Sequence, residues 1–154
     1  MFKILEKRLL ADNIYLLRIE APRVAQSALP GQFVIVRVDE RGERVPLTIA
    51  DFDKSDGSVT IVVQAIGAST RKMCEMAEGE SLADFVGPLG NPSAFIKMSD
   101  EALQQRHFLF VAGGVGTAPV YPQVKWLHEH GAKVDVIIGA KTSSMLIYTA
   151  EMAR

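Results

Sequence analysis

The fold of this chain is decided by residues 107–119, HFLFVAGGVGTAP. The first five residues, 107–111, form an apolar run of the kind buried on both faces of a parallel sheet, and the run stops at a cluster of glycines. We predict that Thr117 and Pro119 open a helical segment, Val120 to His130, which is closed by Gly131. Because residues 133–138 (KVDVII) are typical of a second parallel strand, residues 107–138 are predicted to form a βαβ unit.

The glycine turn in this unit is suited to binding a pyrophosphate. Glycines permit a sharp turn and a close approach to a ligand, and the N–H groups at a helix start lack partners within the helix. The pattern Gly114-x-Gly116-x-x-Pro119 departs from the GxGxxG dinucleotide fingerprint, because a proline replaces the third glycine. A tight strand-to-helix turn that binds no ligand is therefore the alternative.

Composition and charge indicate an ordinary soluble globular protein. The chain has 154 residues, of which 48% are hydrophobic and 23% charged. Its 17 basic and 18 acidic side chains leave a net charge of -1, which gives no indication of nucleic-acid binding. No apolar run approaches the roughly 18 residues of a membrane span. The single cysteine, Cys74, cannot form an internal disulfide, which fits a cytoplasmic location.

Residues 1–92 show short strands separated by turn signals, which predicts an antiparallel six-stranded β-barrel. Strands are predicted over residues 2–10, 13–21, 32–38, 45–50, 58–66 and 81–86. One helix interrupts them, capped by Ser69 or Thr70 and ended by Gly79. Residues 93–106 are predicted to connect the barrel to residues 107–154, the first part of an α/β nucleotide-binding domain.

This α/β part is short. About 48 residues run from His107 to the end of the chain, too few to bury an independent core. Residues 143–154 are predicted to form a second helix that begins at Ser143 or Ser144. We expect either that the domain is truncated, as a fragment of a longer protein, or that the half-sheet leans on the barrel or on a partner chain.

Five motifs follow one another along the chain: PGQF (30–33), RVPLT (44–48), GAST (67–70), GPLG (87–90) and GGVGTAP (113–119). In this order they resemble the ferredoxin-NADP reductase superfamily over essentially the whole chain. Within it the resemblance is strongest to the alpha subunits of NADH-dependent ferredoxin-NADP reductase, also called sulfide dehydrogenase. The electron-transfer subunits of dihydroorotate dehydrogenase B are related.

The resemblance implies a flavoprotein oxidoreductase that moves electrons between NAD(P)H, FAD and a partner, either ferredoxin or a larger flavoprotein or dehydrogenase subunit. The barrel would bind FAD and the α/β part NAD(P). Two alternatives remain open. One is a dihydroorotate dehydrogenase electron-transfer subunit linked to NAD, and the other is a non-catalytic assembly module that holds a partner subunit.

In that family the segment corresponding to Val45, Pro46, Leu47 and Thr48 passes beside the isoalloxazine ring. The resemblance implies that the Thr48 hydroxyl bonds flavin N5, a contact of the kind that tunes flavins. Arg44 is either the cation for the FAD pyrophosphate or a solvated turn arginine, because relatives often carry that arginine one position later.

Five further residues are implied to contact FAD. Gly67, Ser69 and Thr70 stand at a predicted helix start, where N–H and O–H groups would bind phosphates or would merely cap the helix. Val63 and Gln64 would present backbone to the flavin or ribose, although Gln64 is alternatively a surface residue of an alternating strand.

The implied NAD(P) contacts are Gly113, Gly114, Gly116, Thr117, Pro119, Lys141 and Thr142. Classical NAD sites place an acidic residue about 20 residues after the glycines. Here the second strand is followed by Lys141 and Thr142 instead. A cation with hydroxyls suits a 2′-phosphate, so NADP is slightly preferred over NAD.

Other side chains are not expected to carry chemistry. Cys74 is predicted to be a buried small apolar residue. His128 and His130 point to different helix faces, so no metal site is predicted, and no nucleophile-base pair marks a catalytic residue. The [2Fe-2S] cluster of the relatives is held by a cysteine-rich run that this sequence does not contain, so the cluster is expected only in a longer form.

Overall fold

The computed structural model describes residues 1–154, and its strands form two sheets. Seven antiparallel strands make the first sheet, in the order β6-β1-β2-β5-β4-β3-β7. They are β1 (Phe2–Ala11), β2 (Ile14–Glu20), β3 (Phe33–Arg37), β4 (Val45–Asp53), β5 (Ser58–Gln64), β6 (Ser81–Leu82) and β7 (Asp84–Leu89).

The first sheet closes into a barrel through its two edge strands. Only Ala83 separates β6 from β7, and its N–H donates to the carbonyls of Arg37 and Val38 at 3.0 and 3.3 Å. Strand β6 pairs with β1 while β7 pairs with β3, so one kinked segment joins both edges. Counted this way, the barrel has six strands, as the sequence predicted.

Alternating side chains of these strands fill the barrel. Its core is a cluster of 18 buried residues that includes Ile4, Leu17, Val34, Ile49 and Ile61. Two helices contribute to the cluster, α1 (Pro22–Ser27) and α2 (Ala68–Glu75). The sequence analysis missed α1, which is only six residues long and has a proline in its first turn. The prediction that Cys74 is buried is confirmed, and burial raises the pKa of its thiol.

The second sheet is a parallel pair, β8 (His107–Gly113) and β9 (Lys133–Gly139), aligned from His107 opposite Lys133 to Gly113 opposite Gly139. Helix α4 (Tyr121–Glu129) connects them and packs Leu127 against Leu103 of α3 (Asp100–Gln104). The predicted βαβ unit is therefore confirmed.

Burial on both faces of this sheet was predicted and is wrong. Side chains alternate between covered and exposed along both strands. Leu109, Val111 and Ile137 are 62%, 72% and 55% exposed, because a helix covers only the other face.

The helix predicted over Val120 to His130 is confirmed within one residue at each end, as Tyr121–Glu129. The glycine turn before it, Gly114–Val120, is a 3₁₀ helix. Pro119 has no N–H for the i to i−4 bond of an α-helix. Near the end of the chain, the predicted continuous helix is a 3₁₀ turn, Ser143–Met145, and a short α5, Thr149–Met152.

Residues 143–154 do not form one continuous helix because part of this segment packs on the barrel. Ile147 and Tyr148 join a second buried cluster with barrel residues such as Ile14 and Val62, and with Ala118 of the 3₁₀ helix. Tyr148 adopts a left-handed conformation, with φ of 61°, between the two short helices. The half-sheet thus leans on the barrel, one of the two expected arrangements.

None of the helices has the length and apolar character that crossing a membrane requires.

Candidate functional site

A cleft of about 340 Å³ lies between the barrel and the glycine turn. The barrel wall is made by Val45, Pro46, Leu47, Thr48, Val62, Gln64, Ile66 and Thr70, and the opposite wall by Val115, Gly116, Ala118 and Pro119. Two motifs that lie far apart in the sequence therefore face each other across one space. The volume is within the range of small-molecule sites, roughly 300–1,000 Å³.

The barrel wall is held in place by the PGQF motif. Strand β3 pairs with β4 so that Phe33 lies opposite Thr48 and Val34 opposite Leu47. Gln32 accepts the Ile49 N–H through its backbone carbonyl at 3.1 Å. Its side chain accepts from the Leu29 N–H at 2.9 Å and donates to the Gly90 carbonyl at 3.0 Å. A nearly buried glutamine thus fixes the strand that carries Thr48.

At the start of α2, backbone N–H groups are more available to a ligand than the side-chain hydroxyls are. Gly67 is the N-cap, so the predicted cap at Ser69 or Thr70 is wrong. The Thr70 hydroxyl accepts the N–H groups of Gly67 and Ile66 at 2.9 and 3.1 Å, which occupies it. The Ser69 hydroxyl donates to the carboxylate of Glu43 at 2.8 Å. The first N–H groups of the helix have no intrahelical acceptor and remain available to an anion.

Arg44 lies outside the cleft, and the residue before it, Glu43, contacts the start of α2. Its guanidinium is 3.8 Å from the carboxylate of Asp84, which is bound more closely by Arg37 at 2.6 Å. The Arg44 side chain is 66% exposed. Such a loosely held cation suits both readings of Arg44, a phosphate partner or a solvated turn arginine.

Val63 and Gln64 have different environments although they are neighbours on β5. Val63 is fully buried in the barrel core and has no exposed atom that could meet a ligand in this structure. Gln64 lines the cleft.

The glycine turn is open to solvent on its cleft side. Gly114 has a φ of +55°, a left-handed conformation that favours glycine. A Cβ placed on Gly114 or Gly116 would meet no other atom within 4 Å, so a ligand has room to approach the backbone there. Gly113 ends β8 beside Gly139, the last residue of β9.

Thr117 does not belong to this open surface. Its side chain is fully buried, and its hydroxyl has no hydrogen-bonding partner in the protein. The whole residue is buried, so Thr117 offers no exposed atom to a nucleotide in this structure. Pro119, by contrast, lines the cleft.

Lys141 and Thr142 lie in the exposed loop that follows β9, away from the cleft. The Thr142 hydroxyl is 3.0 Å from that of Ser144. Residues 140–144 contain a lysine and hydroxyls but no carboxylate.

Sequence reasoning missed the apolar part of the cleft. The sequence predicts no ligand contact for Ile66, which is 71% exposed at the mouth of the cleft, or for Val115 and Ala118, which also line it. An isoleucine directly before a helix-capping glycine was the available signal. No group of three histidine, cysteine or acidic side chains is arranged to hold a metal ion.

Comparison with known proteins places these features in context. The chain is 57% identical over 99% of its length to the uncharacterized protein in the adh 3′ region of Clostridium beijerinckii, and covers 51% of that relative. It is 39% identical over 97% of its length to the dihydroorotate dehydrogenase B (NAD(+)) electron transfer subunit homolog of Thermotoga maritima, and covers 50% of it. No family model matches. The chain thus spans about half the length of the curated relatives it matches.

Solved structures confirm the fold. The structure of an NADH-dependent reduced ferredoxin-NADP oxidoreductase, reported for flavin-based electron bifurcation, aligns with a TM-score of 0.87 and 37% identity. That alignment covers 99% of this chain and 52% of the other. Phthalate dioxygenase reductase aligns with a TM-score of 0.77 and 19% identity, covering 99% of this chain and 47% of the reductase, which shows the shared fold alone.

Proposed function

We propose that this chain, as a member of the ferredoxin-NADP reductase superfamily, forms the FAD-binding part of a flavoprotein electron-transfer subunit. It would also form the first part of the NAD(P)-binding domain of that subunit. The observation that carries the proposal is the cleft in which the β4 wall, Val45 to Thr48, faces the glycine turn. The proposed electron partners are a nicotinamide nucleotide on one side and ferredoxin or a larger flavoprotein or dehydrogenase subunit on the other.

The residues of the cleft fit a flavin ring. Leu47, Ile66 and Val115 supply apolar surface, while Thr48 and Gln64 supply the few polar groups that orient a ligand in such sites. When bound, FAD would supply the capacity to take a hydride from a reduced nicotinamide and to pass electrons on. The chain would contribute alignment and exclusion of water, because no catalytic side chain is required for the transfer.

The rest of the FAD molecule would extend along the start of α2. The backbone N–H groups at Ser69 and Thr70 and the exposed Arg44 supply positive potential for its pyrophosphate. Glu43, which accepts the Ser69 hydroxyl, would have to turn away when a phosphate binds. The second nucleotide would lie on Gly113, Gly114 and Gly116, with Lys141 and Thr142 at its adenosine end.

A related candidate is the electron-transfer subunit of a dihydroorotate dehydrogenase, which would be linked to NAD. It is favoured by the 39% identity to the Thermotoga maritima homolog, whose name specifies NAD(+). The loop after β9, with Lys141 and no carboxylate, favours NADP instead. A [2Fe-2S] cluster is proposed only for a longer form of the protein. The proposed location is the cytoplasm, where the buried free thiol of Cys74 would stay reduced.

The test is anaerobic titration of the FAD-loaded chain with NADH and with NADPH, followed by flavin absorbance. Bleaching by either nucleotide is expected, and the one that acts at lower concentration decides between the two linkages. A chain that binds FAD but is reduced by neither nucleotide would contradict electron transfer and would favour the assembly module.

A further inference from the structure

Strand β4 contains a β-bulge that turns two successive side chains outward. In the pairing with β5, Ile49 lies opposite Ile61 while Asp51 lies opposite Thr60, so Ala50 is the extra residue. Ile49 faces the barrel core, and Ala50 is buried in the cluster between the barrel and the α/β part. In an unbroken strand, Asp51 would face the core again. The bulge instead directs its carboxylate toward the α/β part.

That carboxylate meets Lys125 of α4. The lysine Nζ is 3.0 and 3.3 Å from the two oxygens of Asp51, and both side chains are partly buried. The Phe52 N–H also donates to the carboxylate at 2.9 Å, which fixes its orientation. Burial works against the charged amine, but the hydrogen bond and the charge of Asp51 outweigh it and raise the pKa of Lys125.

The pair joins the two elements that continue into the walls of the cleft. Thr48 lies three residues before Asp51 on β4, and α4 follows directly on the 3₁₀ helix that forms the opposite wall. A second polar link runs beside it. The Ser93 hydroxyl donates to the side-chain carbonyl of Gln123 at 2.8 Å, and the Gln123 amide donates to the Pro119 carbonyl at 3.1 Å.

We propose that the Asp51–Lys125 ion pair is a positioning element that sets the spacing between the barrel wall and the glycine turn, and with it the approach of a nicotinamide to the flavin. The identity of the two ligands rests on the proposed function, whereas the spacing is a property of the chain without them. An ion pair that is still partly exposed to water contributes little to stability. A displacement of about 1 Å between reacting groups, however, can slow a reaction about 100-fold.

The first test uses the chain without ligands. Lys125→Met removes the charge while keeping a long side chain, and Lys125→Arg keeps the pair. Hydrogen exchange is measured for peptides over residues 45–48 and 114–120. Faster exchange in both is expected for Lys125→Met and not for Lys125→Arg. The matched control is Arg18→Met, which breaks a 2.7 Å ion pair with Asp56 on the barrel surface and should leave both peptides unchanged.

The second test uses the FAD-loaded chain. Lys125→Met is expected to leave FAD affinity unchanged, to weaken the long-wavelength charge-transfer absorbance between reduced flavin and bound NAD(P)⁺, and to slow flavin reduction about tenfold. Asp51→Asn should do the same, and the double variant should be no worse than either single one.

Unchanged exchange in both peptides would overturn the proposal, whatever happens with FAD. Faster exchange with unaltered charge-transfer absorbance and reduction rate would overturn it as well, because the spacing would then not matter to the ligands. A wild-type chain that binds no FAD would refute the proposed function alone, and the exchange experiment would still decide whether the pair sets the spacing.

Discussion

Thr48 is the residue on which the proposed flavin site depends most directly. It lies on β4 opposite Phe33 and lines the cleft, and the proposal assigns its hydroxyl a hydrogen bond to a ring nitrogen. Thr48→Val keeps the shape and removes that bond, which is worth about 0.5–1.5 kcal/mol, or roughly a 2- to 13-fold loss of FAD affinity. Equilibrium titration by flavin fluorescence measures it. Thr60→Val, on the neighbouring strand and outside the cleft, is the control and should bind as the wild type does.

Tyr148 carries a hydroxyl that no protein group satisfies. It is buried against Tyr121 with ring centroids 5.1 Å apart. A buried unsatisfied hydroxyl costs about 1–3 kcal/mol. Tyr148→Phe is therefore expected to raise the free energy of unfolding by about 1 kcal/mol near neutral pH, as measured by denaturant titration. A clear loss of stability would show that the hydroxyl is bonded after all.

The same residue predicts a dependence on alkaline pH. Burial, with the nearby charges of Asp51 and Glu151, raises the pKa of Tyr148 above the ordinary value of 10.0. Below that value both states keep the proton. Above it the unfolded chain loses the proton while the folded chain retains it, so the free energy of unfolding falls as pH rises. Stability should fall less steeply above pH 10 in Tyr148→Phe than in the wild type. Equal slopes would contradict the raised pKa.

The turn before β3 packs closely against Ser93, which restricts the residue that can stand at position 31. Gly31 has a φ of +94°, and a Cβ there would lie 2.6 Å from the Ser93 hydroxyl oxygen and 2.9 Å from the Ser93 backbone nitrogen. Gly79 has a similar φ of +88° but no atom within 4 Å. Gly31→Ala is expected to lower the free energy of unfolding by at least about 1 kcal/mol more than Gly79→Ala. Equal losses would mean that the contact with Ser93 relaxes freely.

At this scale the sequence predicted what depends on local pattern. The alternation of apolar and polar residues on β5 and the apolar run of β8 predicted strands, and glycines predicted where strands end. It could not predict that Asp51 faces outward, since that depends on a bulge in the pairing with β5. Nor could it predict the left-handed Tyr148, because packing on the barrel overrides the helical tendency of residues 143–154.

For the whole molecule, the uncovered sheet face is the feature that departs most from an ordinary domain. Leu109, Val111 and Ile137 form an exposed apolar patch on the α/β part. Parallel sheets are normally covered on both faces. The chain spans about half of its relatives, so the sequence alone could place the βαβ unit but not what lies against its second face.

The patch predicts association of this chain in solution. Val111→Lys should reduce concentration-dependent self-association, because it places a charge in the middle of the exposed apolar surface. Sedimentation velocity over a range of protein concentrations measures the change. Val86→Lys is the matched control, since Val86 is half exposed on the barrel and lies outside the patch. Equal effects of both substitutions would show that the patch has no special role.

The sequence predicted those parts of the site that are marked by local motifs. The motif order along the chain identified the β4 segment and the glycine turn, and both line the cleft. The burial of Thr117 and the capping role of Thr70 depend on three-dimensional packing and on hydrogen bonds that no spacing rule specifies.

The most direct measurement of the central claim is equilibrium binding of FAD to the purified chain. We expect saturable binding of one flavin per chain, weakened by Thr48→Val and unaffected by Thr60→Val. A correctly folded chain that binds no FAD, or that binds it equally well with and without the Thr48 hydroxyl, would contradict the assignment of the cleft.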